Sequence, residues 1–195
     1  GLFVDELLRE NRLSPDELDA VAGGKGPGSY TGLRIGVSFA QGLCYGIRKP
    51  LIAVGSLDAL AEVAREDYEA GIVDVDDWES ARLCPMVDAR RMEVYARVFD
   101  TTGAPLSEVK AEVIGGVSFA AWRDGKHPFV IFGNGARKCR EALPDARFIE
   151  VAPSARGLAR RAQEAFDAGR FEDLAYFEPF YLKDFVVTAS KKRLL

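Results

Sequence analysis

This sequence predicts an α/β fold in two lobes, and three observations predict it. Strand-like and helix-like segments alternate along most of its 195 residues. A glycine-rich stretch, KGPGSYTGLRIG from Lys25 to Gly36, joins an apolar run to a long segment with helical spacing. An acidic, irregular segment from Tyr68 to Ser80 then separates two parts of different character. The predicted lobes are residues 1–78 and 81–195, with the tail from about 176 packing back on the first.

The elements of the first lobe follow in order. LFVDELLREN places Leu2, Phe3, Leu7 and Leu8 on one side of a helix that no N-cap precedes. Ser14 and Pro15 are a cap-like residue and a first helical position. Asp19 to Gly24 reads as a short buried strand. In the turn that follows, Gly26 and Gly28 take positive φ without steric cost and Pro27 fixes φ between them. Ser29 or Thr31 caps a long helix running from Thr31 to Ile47. Gly32, Gly36 and Ala40 recur on it at every fourth position, a stripe that lets another helix approach closely. Pro50 starts the strand LIAVG, and Ser56 caps a helix to about Asp67.

After the acidic segment, read as an exposed linker, the second lobe opens with strands. LCPMVDA and RRMEVYARVFD are two runs around Asp88–Arg91, which makes a hairpin. Asp100 to Gly103 turns into a third strand through Val109 and Val113. Ser118 to Arg123 is a short helix, PFVIFGNGA a buried strand ending in a glycine turn, and Ala136 to Leu143 another helix. Arg147 to Val151 is a strand. Ser154 to Ala168 is a helix with Leu158, Ala162 and Phe166 on one face.

The glycine turn is the first place to look for chemistry. Amides at the start of its helix, with the helix dipole, suit an anion, so Gly26, Gly28, Ser29 and Thr31 form a candidate anion-binding turn. The named phosphate motifs do not fit. The spacing is one residue too long for G-x-G-x-x-G, and Leu33 and Arg34 stand where a P-loop has Lys-Ser/Thr. A strand-to-helix turn that needs glycine for packing is therefore the preferred reading.

Composition excludes several classes. Almost half of the residues are hydrophobic, and charges of both signs are spread along the chain. No run approaches the roughly 18 apolar residues of a membrane span, and no signal-peptide pattern opens the chain. A net charge of −4 gives no general attraction to nucleic acid, and the dense basic run Lys191, Lys192 and Arg193 reads as a solvated tail. Cys44, Cys84 and Cys139 are odd in number and far apart, which fits reduced thiols in a cytosolic protein. The one histidine, His127, reads as a loop residue. One imidazole cannot form the pair that a helix-borne metal site needs, and no metal ligand set is expected. Asp88, Arg90, Arg91 and Glu93 are the densest polar cluster and read as surface ion pairs.

Four stretches carry a family resemblance. KGPGSYTGLRIGVSFAQGLCYG, PLIAVGSLDALA, MVDARRMEVYARVF and FEPFYLKDF, taken in that order, make the chain similar to the bacterial TsaB (YeaZ) family nearly end to end. The resemblance implies a two-lobed actin/Hsp70-like (ASKHA) fold, glycoprotease-like in ancestry. The chain is expected to lack the first strands of the N-terminal lobe, since nothing here matches the family's opening strand and hairpin. The family usually has other residues where Gly23 and Gly24 stand. The implied function is that of a cytoplasmic, non-catalytic scaffold subunit. It would dimerise with TsaD, meet TsaE through the complex, and support threonylcarbamoyl transfer to adenosine beside the tRNA anticodon.

The resemblance places the partner interface on the first helix and the helix after the glycine turn. Phe3, Leu7, Gly32, Leu33, Gly36, Val37, Ala40 and Leu43 are its candidate residues. No cofactor is expected on this chain, with ATP left to the complex; no direct tRNA or membrane contact is expected, and a homodimer in isolation, using the same helices, is a third reading. The rival reading is an actin-like ATPase or a glycopeptidase-like enzyme. It would need phosphate loops from both lobes, for which Gly133–Ala136 is a weak candidate, or an activated nucleophile.

Overall fold

A computed structural model describes residues 1–183; the basic run Lys191–Arg193 and the rest of the tail lie outside the described residues. Apolar periodicity becomes structure first at the glycine-rich unit. Strand β1 (Val21–Gly26) runs parallel to β2 (Leu51–Gly55), and helix α2 (Tyr30–Ile47) crosses between them. Ala40 and Cys44 of α2 bury against Leu51 on one face of this two-stranded sheet, with Val21, Leu174 and Phe177. Helix α3 (Ser56–Glu69) leaves β2 directly, with Gly55 at its N-cap position, so Ser56 is its first residue and not its cap.

A second, five-stranded sheet takes most of the remaining chain. Its strands are β3 (Arg82–Asp88), β4 (Glu93–Ala96), β5 (Lys110–Val113), β6 (Phe129–Phe132) and β7 (Arg147–Phe148), in the order β5-β4-β3-β6-β7. β3 and β4 form the expected antiparallel hairpin, pairing Met86 with Ala96 and Asp88 with Val94. β6 runs parallel to both β3 and β7. The FVIF of β6 is apolar throughout because both faces are covered. Val130 and Phe132 face a core shared with α3, Leu83 and Phe99, while Phe129 and Ile131 face Met86, Val94, Cys139 and Leu143.

Helix α4 (Ala159–Asp167) follows a 3-10 turn at Ala155–Leu158, where Ser154 Oγ accepts from the Arg156 amide at 3.4 Å. Leu158, Ala162 and Ala165 cover the other face of the β1–β2 sheet. Phe166, expected on that face, is partly exposed and packs edge-on against Phe171 instead. The following segment returns across the first sheet. The Glu172 amide donates to Leu51 O at 2.9 Å and the Phe180 amide to Lys25 O at 2.7 Å. Gln41 Nε2 donates to the Leu174 and Phe177 carbonyls, both at 3.0 Å.

Three further expectations change in the structure. The acidic segment is not an exposed linker: Val75 and Trp78 are buried, and Trp78 stacks on Tyr68 with centroids 4.1 Å apart. Ser118–Arg123 forms turns rather than a helix, because Phe119 adopts φ 59 and so leaves the helical region at its second residue. Only Arg137–Cys139 forms a 3-10 turn in place of the Ala136–Leu143 helix. Between a glycine loop and Pro144 the segment is too short to offset the cost of starting a helix.

Candidate functional site

Helix α2 owes its ends to two local devices. Ser29 Oγ accepts a 3.3 Å hydrogen bond from the Gly32 amide, and Arg48 closes the helix in a left-handed conformation at φ 56. Thr31 lies within the first turn and is exposed, so Ser29 is the cap. Replacing Ser29 with alanine should cost about 1 kcal/mol, seen as a lower urea midpoint at unchanged slope.

The candidate anion-binding turn is already partly engaged. Gly26 adopts φ +107 and a Cβ there would stand 2.7 Å from Phe180 O, whereas Gly28 has no positive φ. The Ser29 side chain takes the Gly32 amide, and the Leu33 amide donates to Ser29 O at 2.8 Å. Phe180 and Leu33 crowd the turn from outside.

The candidate interface residues divide between two faces. Val37 and Ala40, each 7% exposed, point into the core and not outward; Leu33 and Leu43 are half-buried at the border. Gly32 and Gly36 open outward, and a Cβ on Gly36 would meet nothing within 4 Å. So the stripe of small residues is split, with Ala40 on the side of β1. Ile35, at 66% exposure, and Phe39 complete the outward face, with Gly42, Gly46 and Tyr45 further along. Periodicity alone did not single these residues out.

Helix α1 (Leu2–Glu10) extends this surface. It has no buried residue, and Phe3 is 87% exposed beside Leu2 and Leu7. A Cβ on Gly1 would lie 3.7 Å from the Phe39 ring, so the start of α1 sits next to the outward face of α2. The helices present exposed apolar side chains, and on α2 these alternate with open glycines, a surface that suits close packing of another helix.

The chemistry elsewhere is structural. Asp88 pairs with Lys138 and Glu93 with Lys183, so among the described residues these carboxylates form their ion pairs with other segments and not with the Arg90 and Arg91 guanidiniums, while Asp88 Oδ1 also accepts from the Arg90 amide at 3.1 Å. Asn134 Oδ1 accepts from the Asp88 amide at 3.0 Å, which ties the Gly133–Ala136 loop to the hairpin. Burial pushes the thiols of Cys44, Cys84 and Cys139 above their ordinary value, Cys84 furthest, so none is poised as a nucleophile. Among the described residues no group of three His, Cys, Asp or Glu side chains is placed to hold a metal, and no helix is long and apolar enough to cross a membrane.

Fold and face together define an α/β protein with an outward, apolar packing surface. Residues 2–176 match the family described as TsaD: tRNA N6-adenosine threonylcarbamoyltransferase. The tRNA threonylcarbamoyladenosine biosynthesis protein TsaB of Haemophilus influenzae is 38% identical over 93 residues, 48% of this chain and 35% of that protein. TsaB of Bacillus subtilis is 30% identical over 146 residues, 73% of this chain and 58% of its own length. The chain therefore spans less than two thirds of either of these relatives. The solved structure of YeaZ from Pseudomonas aeruginosa superposes with a TM-score of 0.74 at 26% identity, covering 92% of this chain and 81% of that one. The chain belongs to this family as a TsaB/YeaZ member.

Proposed function

We propose that this chain is a cytoplasmic, non-catalytic scaffold subunit in tRNA threonylcarbamoyladenosine biosynthesis. It dimerises with the TsaD-type transferase, meets TsaE only through that complex, and supports threonylcarbamoyl transfer without carrying it out. Its fold is read as the two-lobed actin/Hsp70-like arrangement, with one lobe around β1 and β2 and the other around the five-stranded sheet. The observation that carries the proposal is the outward face of α1 and α2, where Phe3 and Leu7 on one helix and Ile35 and Phe39 on the other are exposed and Gly32 and Gly36 leave the surface open. Exposed apolar side chains of this extent on two neighbouring helices are explained by a partner that covers them. The one histidine and the buried thiols support a non-enzymatic role over a peptidase.

Substituting Gly36 with leucine tests the proposal cleanly. The new side chain has open space in the isolated chain, and leucine favours a helix over glycine by about 0.8 kcal/mol, so the fold should not suffer. Affinity for purified TsaD, by calorimetry and by size exclusion with light scattering, should fall by roughly tenfold or more, about 1.4 kcal/mol. Unchanged affinity would overturn the assigned face. No complex from the unsubstituted chain would overturn the scaffold reading itself. A homodimer that dissolves as TsaD is added would place self-association on the same helices.

A further inference from the structure

We infer that the cleft between β2, the start of α3 and α4 binds a multiply charged oxyanion, a phosphate group carried on a small molecule. The cleft has a volume of about 400 Å³, well beyond a bare phosphate and within the usual range for small-molecule pockets. Lys25, Arg97, Arg161 and Arg170 line it, against two carboxylates, Asp58 and Glu172. The whole chain carries a net charge of −4, so this local excess of positive charge runs against its general balance.

Two of the cations are held in place and two are uncommitted. Arg97 donates from Nε to Ser107 O at 2.8 Å and lies 3.4 Å from Asp58 Oδ1. Arg161 is held by the Gly103 carbonyl, and its buried Nε, 3.5 Å from Glu62 Oε1, makes no hydrogen bond. Lys25 is half-buried, yet its ammonium has no partner among the described residues. Arg170 makes only a 3.5 Å contact with Glu164 O. With its stem half-buried and its head free of a counter-ion, Lys25 offers the cleft an uncommitted charged donor for an anion.

Backbone geometry aims Lys25 there. The register of β1 against β2 slips between Gly24 and Gly26, which leaves Lys25 as the extra residue of a bulge. Bulges re-aim side chains, and this one is pinned because Lys25 O accepts from the Phe180 amide at 2.7 Å. The parallel pairing directs the Ala53 amide to the second edge of β2, which faces the cleft, and no described residue accepts from it. Guanidinium groups, an ammonium and an edge amide are the donor set that phosphate oxygens take. The site is separate from the α1–α2 face and does not depend on the partner reading.

Titration calorimetry of the full chain at low ionic strength tests this, with pyrophosphate as the probe and citrate as the polycarboxylate comparison. One pyrophosphate site is expected, weakened roughly threefold to tenfold in Lys25→Gln and again in Arg170→Gln, each removing one charged donor. Lys126→Gln, outside the cleft, should leave it unchanged. Arg170 is exposed and its replacement leaves the fold intact, so that variant decides the matter should Lys25→Gln melt early. No pyrophosphate binding at millimolar concentration, or equal weakening in all three variants, overturns the site. Citrate binding more tightly than pyrophosphate overturns the phosphate assignment.

Discussion

Replacing Gly133 with alanine should destabilise the protein by about 3 kcal/mol, combining overpacking with a left-handed backbone. Gly133 adopts φ +93, and a Cβ there would stand 2.6 Å from both Met86 O and Leu60 Cδ2. The backbone cannot retreat, because the Gly135 amide donates to the same Met86 carbonyl at 2.9 Å and Asn134 holds the Asp88 amide. β6 thus ends by folding its glycine loop onto β3, beneath α3. For a chain of this size the melting temperature should drop by roughly 6–12 °C, measured by calorimetry beside Gly36→Ala, which adds a methyl to open space. A drop for Gly133→Ala no larger than for Gly36→Ala would mean that the loop relaxes. Packing thus accounts for the glycines of this loop without any phosphate.

The same loop illustrates what the sequence makes legible. Strands and helices could be read where one period dominates: β6 as an apolar run, α2 from its spacing and a cap at Ser29 or Thr31, which the structure settles on Ser29. Orientation could not. Residues four apart on a helix advance by about 40° around its axis, so the stripe from Gly32 through Gly36 to Ala40 turns from solvent toward β1. α2 is apolar or small on nearly every side, and only the sheet beneath it decides which side is outward. Trp78 was hidden for a different reason. Its neighbours Asp74, Asp76, Asp77 and Glu79 make the segment look solvated, while Val75 and Trp78 turn inward, with Tyr68 and Val73 packed beside them. The cationic cleft draws on β1, Arg97 just past β4, α4 and the returning segment, and the bulge that aims Lys25 has no local sequence signature. Short helices at Ser118 and Ala136 failed because propensity over six to eight residues is weaker than the turns flanking them.

Glu62→Gln should cost about 2 kcal/mol at neutral pH, less than a fully enclosed ion pair because its arginine partners reach solvent. Glu62 is 1% exposed on α3, and its carboxylate accepts from Arg160 Nε at 2.8 Å, from Arg160 Nη2, and from Arg65 Nε at 3.2 Å. Arg160 and Arg161 stand on α4, which also covers the β1–β2 sheet through Ala162 and Ala165. Arg156 adds contacts to Glu66 at 2.9 Å and Asp67 at 2.5 Å. Glu62 is therefore the anion that fastens the cover of the first sheet to the helix beneath the second. Glutamine keeps the shape and one acceptor but removes the charge shared by the arginines, which Glu69 and Glu164 then compensate only in part for Arg65 and Arg160. Burial alone would raise the Glu62 carboxyl; the hydrogen bonds and charge of Arg160, then of Arg65, outweigh it and hold it below 4.5. A carboxylate lowered on folding contributes stability above its unfolded value and loses it as pH falls through the folded one. The stability gap between the two proteins, from urea titrations, should stay level down to about pH 4.5 and close below it. A gap that widens in acid would mean that Glu62 binds its proton on folding, and that burial, not the arginines, governs this junction.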